Sequence, residues 1–404
     1  MTEMKRPRIT LAILFLLAIP TCLLAQPNGA SATGVSDKLP AFSWDTLPLY
    51  AHVRKGTKFT PQEIEHLASF PLVTLEKTTG LKDYGSTDAG TIEAAKGIKQ
   101  INPDVKVLFY RNVIVHYPGY LYDDQLKSIP DAFLSSKANE RNLVRGKQQA
   151  YDLSNADLRK WWVKTMAKTC KHDSIDGLFL DGNVKVLSSY LEKKLPDGKK
   201  EAVISGFGQM MKDTRKALGP KKLMVANILR ARFDEGGLEF MDAFDGSYLE
   251  GFEHAVGGIS KADYLAKGIK TIQSAAKQGK LIALTLNVGK ASISGGIDEV
   301  HGKLKNFESI DQERVNFCIA LFLVVAERHS YFCLHDGYDV NTKGRGKKAK
   351  TNNVLWLKTL PQYQKRLGQP KGPATKLGYR YSREFEHASV KLDIETGEGE
   401  IDWK

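Results

Sequence analysis

Hydrophobic positions along the chain fall into short apolar runs separated by longer segments of helical period. Runs at 47–53, 70–76 and 105–112 read as strands. Between them, Thr60-Pro61-Gln62-Glu63 joins a capping box to proline at the first helical position, which predicts a helix start, and 91–101 predicts a second helix. A long connection from Val115 to about Tyr151 precedes a helix over 154–170, with Ser154 or Asn155 as its cap. Further strands are predicted at 175–181, 222–227, 243–250, 281–287 and 330–334, with helices over 203–218, 260–278 and 311–328. Eight strands alternating with helices over about 300 residues predict an α/β fold, a closed (β/α)8 TIM-like barrel. An open doubly wound sheet is the competing arrangement, but no Gly-x-Gly-x-x-Gly turn follows the first strand, and no cofactor is expected.

The two ends of the chain change character. Lys5, Arg6 and Arg8 precede the apolar run Ile9 to Ile19, and small residues follow, the pattern of a secretory signal peptide cleaved after Ala25 or Ala32. Ile19-Pro20-Thr21 is a poor match to the small residues that precede a lipidated Cys22. The expected organisation is signal peptide and start of linker at 1–32, linker at 33–43, barrel at 44–374 and a β-hairpin appendage at 375–404. Localisation is expected to be secreted or periplasmic, with no stable membrane insertion after cleavage. The dozen mostly apolar residues from Val315 to Ala326 are too few to span a bilayer and read as a buried helix. Without Cys22, three cysteines remain; Cys170, Cys318 and Cys333 lack metal-site spacing and read as buried thiols, with a Cys318–Cys333 disulfide as the alternative.

Composition is ordinary, with 42% hydrophobic and 26% charged residues, but the formal net charge is +13. An anionic partner suits that balance. Nucleic acid is not expected, because the basic runs, such as Lys343-Gly344-Arg345-Gly346-Lys347-Lys348-Ala349-Lys350, lack interleaved aromatic residues. In an exported protein an acidic polysaccharide is the more natural ligand.

Candidate chemistry comes from a repeat. Asp176-Gly177-Leu178-Phe179-Leu180-Asp181-Gly182 and Asp245-Gly246-Ser247-Tyr248-Leu249-Glu250-Gly251 share the pattern Asp-Gly-x-aromatic-Leu-acid-Gly. Alternation along a strand puts Gly177, Phe179 and Asp181 on one face, and Gly246, Tyr248 and Glu250 likewise. The acids are 69 positions apart, about two strand-helix units, so both are expected at the C-terminal mouth of the barrel. Two converging carboxylates are the equipment of a glycosidase, whereas acids at strand ends also serve as simple turn caps. Other strand ends offer polar groups for a hydroxyl-rich ligand: His52, Glu76, Tyr110, Arg111, Asn112, Asn227, Arg230, Asn287, His335 and Asp336, with Tyr248 beside Glu250. Asp176 and Asp245 open their strands at the far end and read as turn residues. No nucleophile elbow, His-Glu-x-x-His motif or P-loop occurs, and no metal site is expected.

The strand Gly-Leu-Phe-Leu-Asp, the later Tyr-Leu-Glu-Gly-Phe and the closing Arg-x-Phe-Glu-His-x-x-Val segment resemble hypothetical glycosyl hydrolase family 15, and the architecture is similar to the endo-alpha-1,4-polygalactosaminidase family. The resemblance runs from about Trp44 to Trp403. It implies a barrel glycoside hydrolase with its acids at Asp181 and Glu250, and it carries no substrate. By analogy with barrels whose acid follows the fourth strand, Asp181 is assigned as nucleophile or base and Glu250 as general acid, with exchange of roles left open; Tyr248 and Phe252 are the apolar neighbours expected of Glu250. Two other functions compete: a non-catalytic carbohydrate-binding barrel, and a polysaccharide lyase using Tyr110, Arg111, His52 and His335.

Overall fold

The computed structural model describes residues 38–256, 258–288, 307, 310–343, 350, 351, 353 and 355–404. The signal peptide expected at the N-terminus lies outside the described residues. Eight parallel strands pair in sequence order: β1 (Ala51–Val53), β2 (Leu72–Leu75), β3 (Lys106–Asn112), β4 (Gly177–Asp181), β5 (Leu223–Asn227), β6 (Gly246–Leu249), β7 (Leu281–Asn287) and β8 (Ser330–His335). A parallel bridge between Leu49 and Phe332, with Tyr50 N donating to Phe332 O at 3.0 Å, closes β8 onto the start of β1. The fold is a (β/α)8 barrel.

The helices start where side chains supply caps. Thr60 and Glu63 form the expected capping box at α1 (Pro61–Ala68). After the single turn α2 (Leu81–Tyr84), the Ser86 hydroxyl accepts the Ala89 amide and starts α3 (Thr87–Ile101) four residues earlier than expected. Asn155, rather than Ser154, caps α4 (Ala156–Cys170). A short α5 (Asn183–Leu187) precedes α6 (Lys199–Leu218), and Ser260 caps α7 (Lys261–Lys277). Asp311 caps α8 (Gln312–Val325), whose residues from Phe317 onward are all buried.

That helix is apolar all round because it is covered on both sides. Beyond the small hairpin β9 (Thr342–Lys343) and β10 (Lys350–Thr351), the chain ends in four antiparallel strands, β11 (Thr375–Leu377), β12 (Arg380–Glu384), β13 (Ala388–Asp393) and β14 (Glu398–Trp403). This sheet, larger than the two-stranded hairpin expected, lies on α8 so closely that a Cβ on Gly399 would stand 2.5 Å from Phe317 Cα. Arg383, from the same sheet, donates to the Leu323 carbonyl at 3.0 Å.

Inside the barrel, Tyr50, Leu72, Leu108, Phe179, Val225, Tyr248, Leu281 and Tyr331 pack as one cluster. The Tyr331 hydroxyl donates to the Pro40 and Ala41 carbonyls, which close the N-terminal end. Cys170, Cys318 and Cys333 are free thiols, and burial pushes each up to about 12. Among the described residues, no helix is long and apolar enough to cross a membrane.

The repeat has a structural meaning at its other end. Asp176 and Asp245 act as more than turn residues: their carboxylates accept the amides of Val107 (2.8 Å) and Met224 (2.7 Å) on the preceding strands. Their carbonyls accept the amides of Leu223 (2.8 Å) and Leu281 (3.0 Å) on the following strands. Each Asp-Gly therefore stitches three neighbouring strands in the same way, which fixes the direction in which each strand delivers its acid.

Candidate active site

Strand alternation carries one set of polar side chains to the C-terminal mouth. His52, Glu76, Tyr110, Asn112, Asp181, Asn227, Tyr248, Glu250, Asn287 and His335 all share the parity of the inward-facing cluster. Asn112 and Asp181 are register partners on β3 and β4. Around Asp181, Oδ2 accepts the Tyr110 hydroxyl at 2.6 Å and Asn112 Nδ2 at 3.0 Å, while Oδ1 accepts the Gly182 amide at 2.7 Å and Asn227 Nδ2 at 3.1 Å. Gly182 has φ +85° and leaves no room for a Cβ, which would meet Asn112 Oδ1 at 2.4 Å.

Asn227 Nδ2 also donates to Glu250 Oε1 at 3.0 Å. One amide nitrogen thus joins the two acids, whose facing oxygens can be no farther apart than its two hydrogen bonds end to end, about 6 Å. Arg230 holds that amide in place by donating to Asn227 Oδ1 and to the Leu229 carbonyl. The second oxygen of Glu250, Oε2, lies within hydrogen-bonding distance of the hydroxyls of Tyr248 (3.3 Å) and Tyr338 (3.2 Å), which are also in contact with each other.

Beyond β2, Lys77 Nζ donates to Glu76 Oε2 at 2.6 Å, and Glu76 Oε1 pairs with His52 Nε2 at 3.2 Å. The ammonium sits over the Tyr110 ring, 4.7 Å from its centroid, and 5.4 Å from that of Tyr117. Burial alone pushes the Asp181 carboxyl up, but the Lys77 ammonium and the Tyr110 hydroxyl outweigh it and hold the group below the usual carboxylate range. Glu76 is likewise held well down against burial by Lys77 and His52. Burial and the neighbouring carboxylates raise the Tyr110, Tyr248 and Tyr338 phenols well above their usual value, so they remain O–H groups.

The model of hypothetical glycosyl hydrolase family 15 matches residues 99–389, a span that contains both acids but begins after His52, Glu76 and Lys77. The chain belongs to hypothetical glycosyl hydrolase family 15. Solved structures similar to it include an α-galactosidase, AgaA, of Geobacillus stearothermophilus, at 10% identity over 87% of this chain and 48% of that one, TM-score 0.45. An α-amylase of Geobacillus thermoleovorans solved with acarbose is 14% identical over 87% of each chain, TM-score 0.46, and a noncanonic maltogenic α-amylase of Thermotoga neapolitana is 12% identical over 86% of each, TM-score 0.47. The chain spans about half the length of the α-galactosidase it matches. No curated protein matches it.

Two residues expected at the mouth of this family 15 chain point elsewhere. Arg111 has the opposite parity to Tyr110 and Asn112; its guanidinium is buried outside the barrel, stacked 3.8 Å from the Tyr120 ring centroid and donating to the Tyr151 hydroxyl at 2.8 Å. Asp336 is likewise out of phase with His335 and accepts the Leu355 amide at 3.5 Å. Phe252, expected as an apolar neighbour of Glu250, packs on Gly268 of α7, where an added Cβ would come within 2.6 Å of its ring, and with Leu249 it lines a small cleft that Glu250 borders, while the hydroxyls of Tyr248 and Tyr338 face Oε2. Conversely, Lys77 and Tyr338 enter the site from loops just past β2 and β8, where no periodicity marks them. Asn287 closes β7 with its carbonyl held by Arg314 at 2.8 Å, and His335 Nδ1 accepts the Gly337 amide at 2.9 Å. A cavity of 530 Å³ opens beside the mouth at the β1/β8 seam, touching His52 and His335 and otherwise lined largely by apolar side chains such as Phe70 and Trp356.

Proposed function

We propose that the chain hydrolyses glycosidic bonds of a poly- or oligosaccharide by double displacement, with Asp181 as nucleophile and Glu250 as general acid and then base. The observation that carries the reading is the shared Asn227 amide, which keeps the facing oxygens of the two acids within about 6 Å of each other, a pairing close enough for one carboxylate to attack the carbon whose leaving oxygen the other protonates. The division of roles rests on electrostatics. Asp181, with four donors and the Lys77 ammonium nearby, is kept ionised and oriented, as a nucleophile requires.

In the first step an Asp181 oxygen bonds to the anomeric carbon while the bond to the leaving oxygen breaks, and that oxygen takes the proton of Glu250. In the second, water gives a proton to the Glu250 carboxylate and its oxygen displaces Asp181 from the same carbon, restoring both groups. The lyase alternative loses Arg111, which faces away from the mouth, and Tyr110, whose hydroxyl is committed to Asp181. The leader-like N-terminus supports export, and the net charge of +13 is in keeping with acidic decoration of the glycan.

Asp181→Asn and Glu250→Gln should fold as wild type. On a panel of aryl glycosides and polysaccharides, Asp181→Asn should lose turnover on every substrate the wild type cleaves, and the anomer first released by wild type, read by NMR, should be that of the substrate. Full activity of Asp181→Asn, or inversion, would overturn the assignment.

A further inference from the structure

Glu250 must give a proton in one step and take one in the next, and the surroundings of its two oxygens differ in a way that selects one of them. Oε1 faces Asn227 Nδ2 at 3.0 Å, and an amide nitrogen only donates. A proton on Oε1 in that direction would set hydrogen against hydrogen. Arg230, bonded to Asn227 Oδ1, prevents the amide from turning its oxygen round instead. Oε2 faces the hydroxyls of Tyr248 and Tyr338, each of which can donate or accept.

We propose that the Tyr248–Tyr338 hydroxyl pair confines the transferable proton of Glu250 to Oε2 and lets that oxygen alternate between donor and acceptor, both tyrosines acting as positioning residues. The inference rests on the reading of Glu250 as acid and base. With Glu250 ionised, both phenols turn their hydrogens to Oε2. With Glu250 protonated, one phenol turns its hydrogen to the other and presents a lone pair to the acid. Each phenol has one hydrogen, so the mutual contact and the two contacts to Oε2 cannot all be filled at once. The switch therefore needs the rotation of one hydroxyl and no movement of heavy atoms. Packing keeps the rings where this works: Tyr248 lies edge-on to Phe179 at 4.9 Å, and Tyr338 is stacked on His335 at 4.4 Å.

The test compares Tyr338→Phe, Tyr248→Phe and Glu250→Gln on glycosides of the sugar the wild type cleaves, with good (dinitrophenyl) and poor (methylphenyl or alkyl) leaving groups. A poor leaving group needs the proton and a good one does not, so loss of kcat/KM on the poor substrate should exceed that on the good one by about tenfold or more in each tyrosine variant, and by about a hundredfold or more in Glu250→Gln. The loss should fall on kcat, with KM little changed. If Glu250→Gln shows this dependence and both tyrosine variants lose equally on the two substrates, the tyrosine inference is wrong and the reading of Glu250 stands. If Glu250→Gln itself shows none, the reading of Glu250 fails, and the inference with it.

Discussion

Asp181 Oδ1 and Glu250 Oε1 accept hydrogen bonds from one and the same nitrogen, Asn227 Nδ2, at 3.1 and 3.0 Å. An amide in that position supplies two hydrogens to two carboxylates that would otherwise repel. Asn227→Asp keeps the shape and replaces the donor with an oxygen facing both acids. Carboxylates this close cannot all ionise, so one takes up a proton. Activity at neutral pH should fall by about a hundredfold or more. A folded-state pKa raised above the unfolded value leaves stability intact below the unfolded value, near 3.9 for aspartate, and removes it as pH rises through the folded value. The variant should therefore match wild type in thermal unfolding at acid pH and fall behind as pH increases; an equal deficit at every pH would refute the account.

Lys77 is the cation that holds both Glu76 and Asp181 ionised. Lys77→Met removes it and keeps an unbranched side chain of similar length. Asp181 in the wild type has a depressed pKa, so its contribution to stability is present above the unfolded value and is lost only as pH falls through the lower folded value. Without Lys77 the folded values of Asp181 and Glu76 rise, and the acid limb of kcat/KM should move to higher pH. Leaving Glu76 buried with only His52 as a partner should cost about 3 kcal/mol at neutral pH, measured by urea unfolding. An acid limb that stays in place would show that Lys77 does not act on Asp181.

The barrel was legible because its strands, buried on both faces, read as apolar runs, and because caps such as Thr60 and Ser260 announce the helices between them. The site was legible as far as period two reaches: Asp181 and Glu250 lie in phase with Phe179 and Tyr248, which are core. Arg111 and Asp336 sit one position out of phase, and nearness to a strand end does not by itself bring a side chain to the mouth. Lys77 and Tyr338 lie past the last strand residue, where backbone direction is set by turns and tertiary contacts rather than by alternation. The coupling through Asn227 depends on side-chain rotamers at the ends of three neighbouring strands, which no local pattern encodes.

Arg111 provides a test of that phase argument. Its guanidinium is stacked on Tyr120 and bonds Tyr151, and two of its buried nitrogens, Nε and Nη1, have no hydrogen-bond partner. Arg111→Met keeps the buried stem and removes a desolvated charge. Asp123, 3.5 Å away, keeps the Gly119 and Tyr120 amides as donors. Removing one partner of a buried ion pair leaves the other, here Asp123, uncompensated, so stability should fall by about 3 kcal/mol in urea unfolding, with kcat/KM within about threefold of wild type. A large rise in KM at unchanged stability would put Arg111 back among the ligand-binding residues.

The repeated glycines carry the last prediction. Gly177 and Gly246 open the two acid-bearing strands, and a Cβ there would stand 2.2 Å from the Leu223 carbonyl oxygen and 2.3 Å from that of Leu281. Both obstacles are backbone of the next strand, which can yield only by moving apart in the barrel wall. Gly177→Ala and Gly246→Ala should each cost about 3 kcal/mol or more in urea unfolding. Gly208 is the control: it lies within α6 with nothing inside 4 Å of its added Cβ, so Gly208→Ala should raise stability by about 0.5 to 1 kcal/mol through helix propensity. Because each glycine sits four residues before its acid, a tolerated alanine at either position would mean that the wall does not close there as tightly as the Asp176 and Asp245 stitching requires, and the approach of the two carboxylates would lose its structural cause.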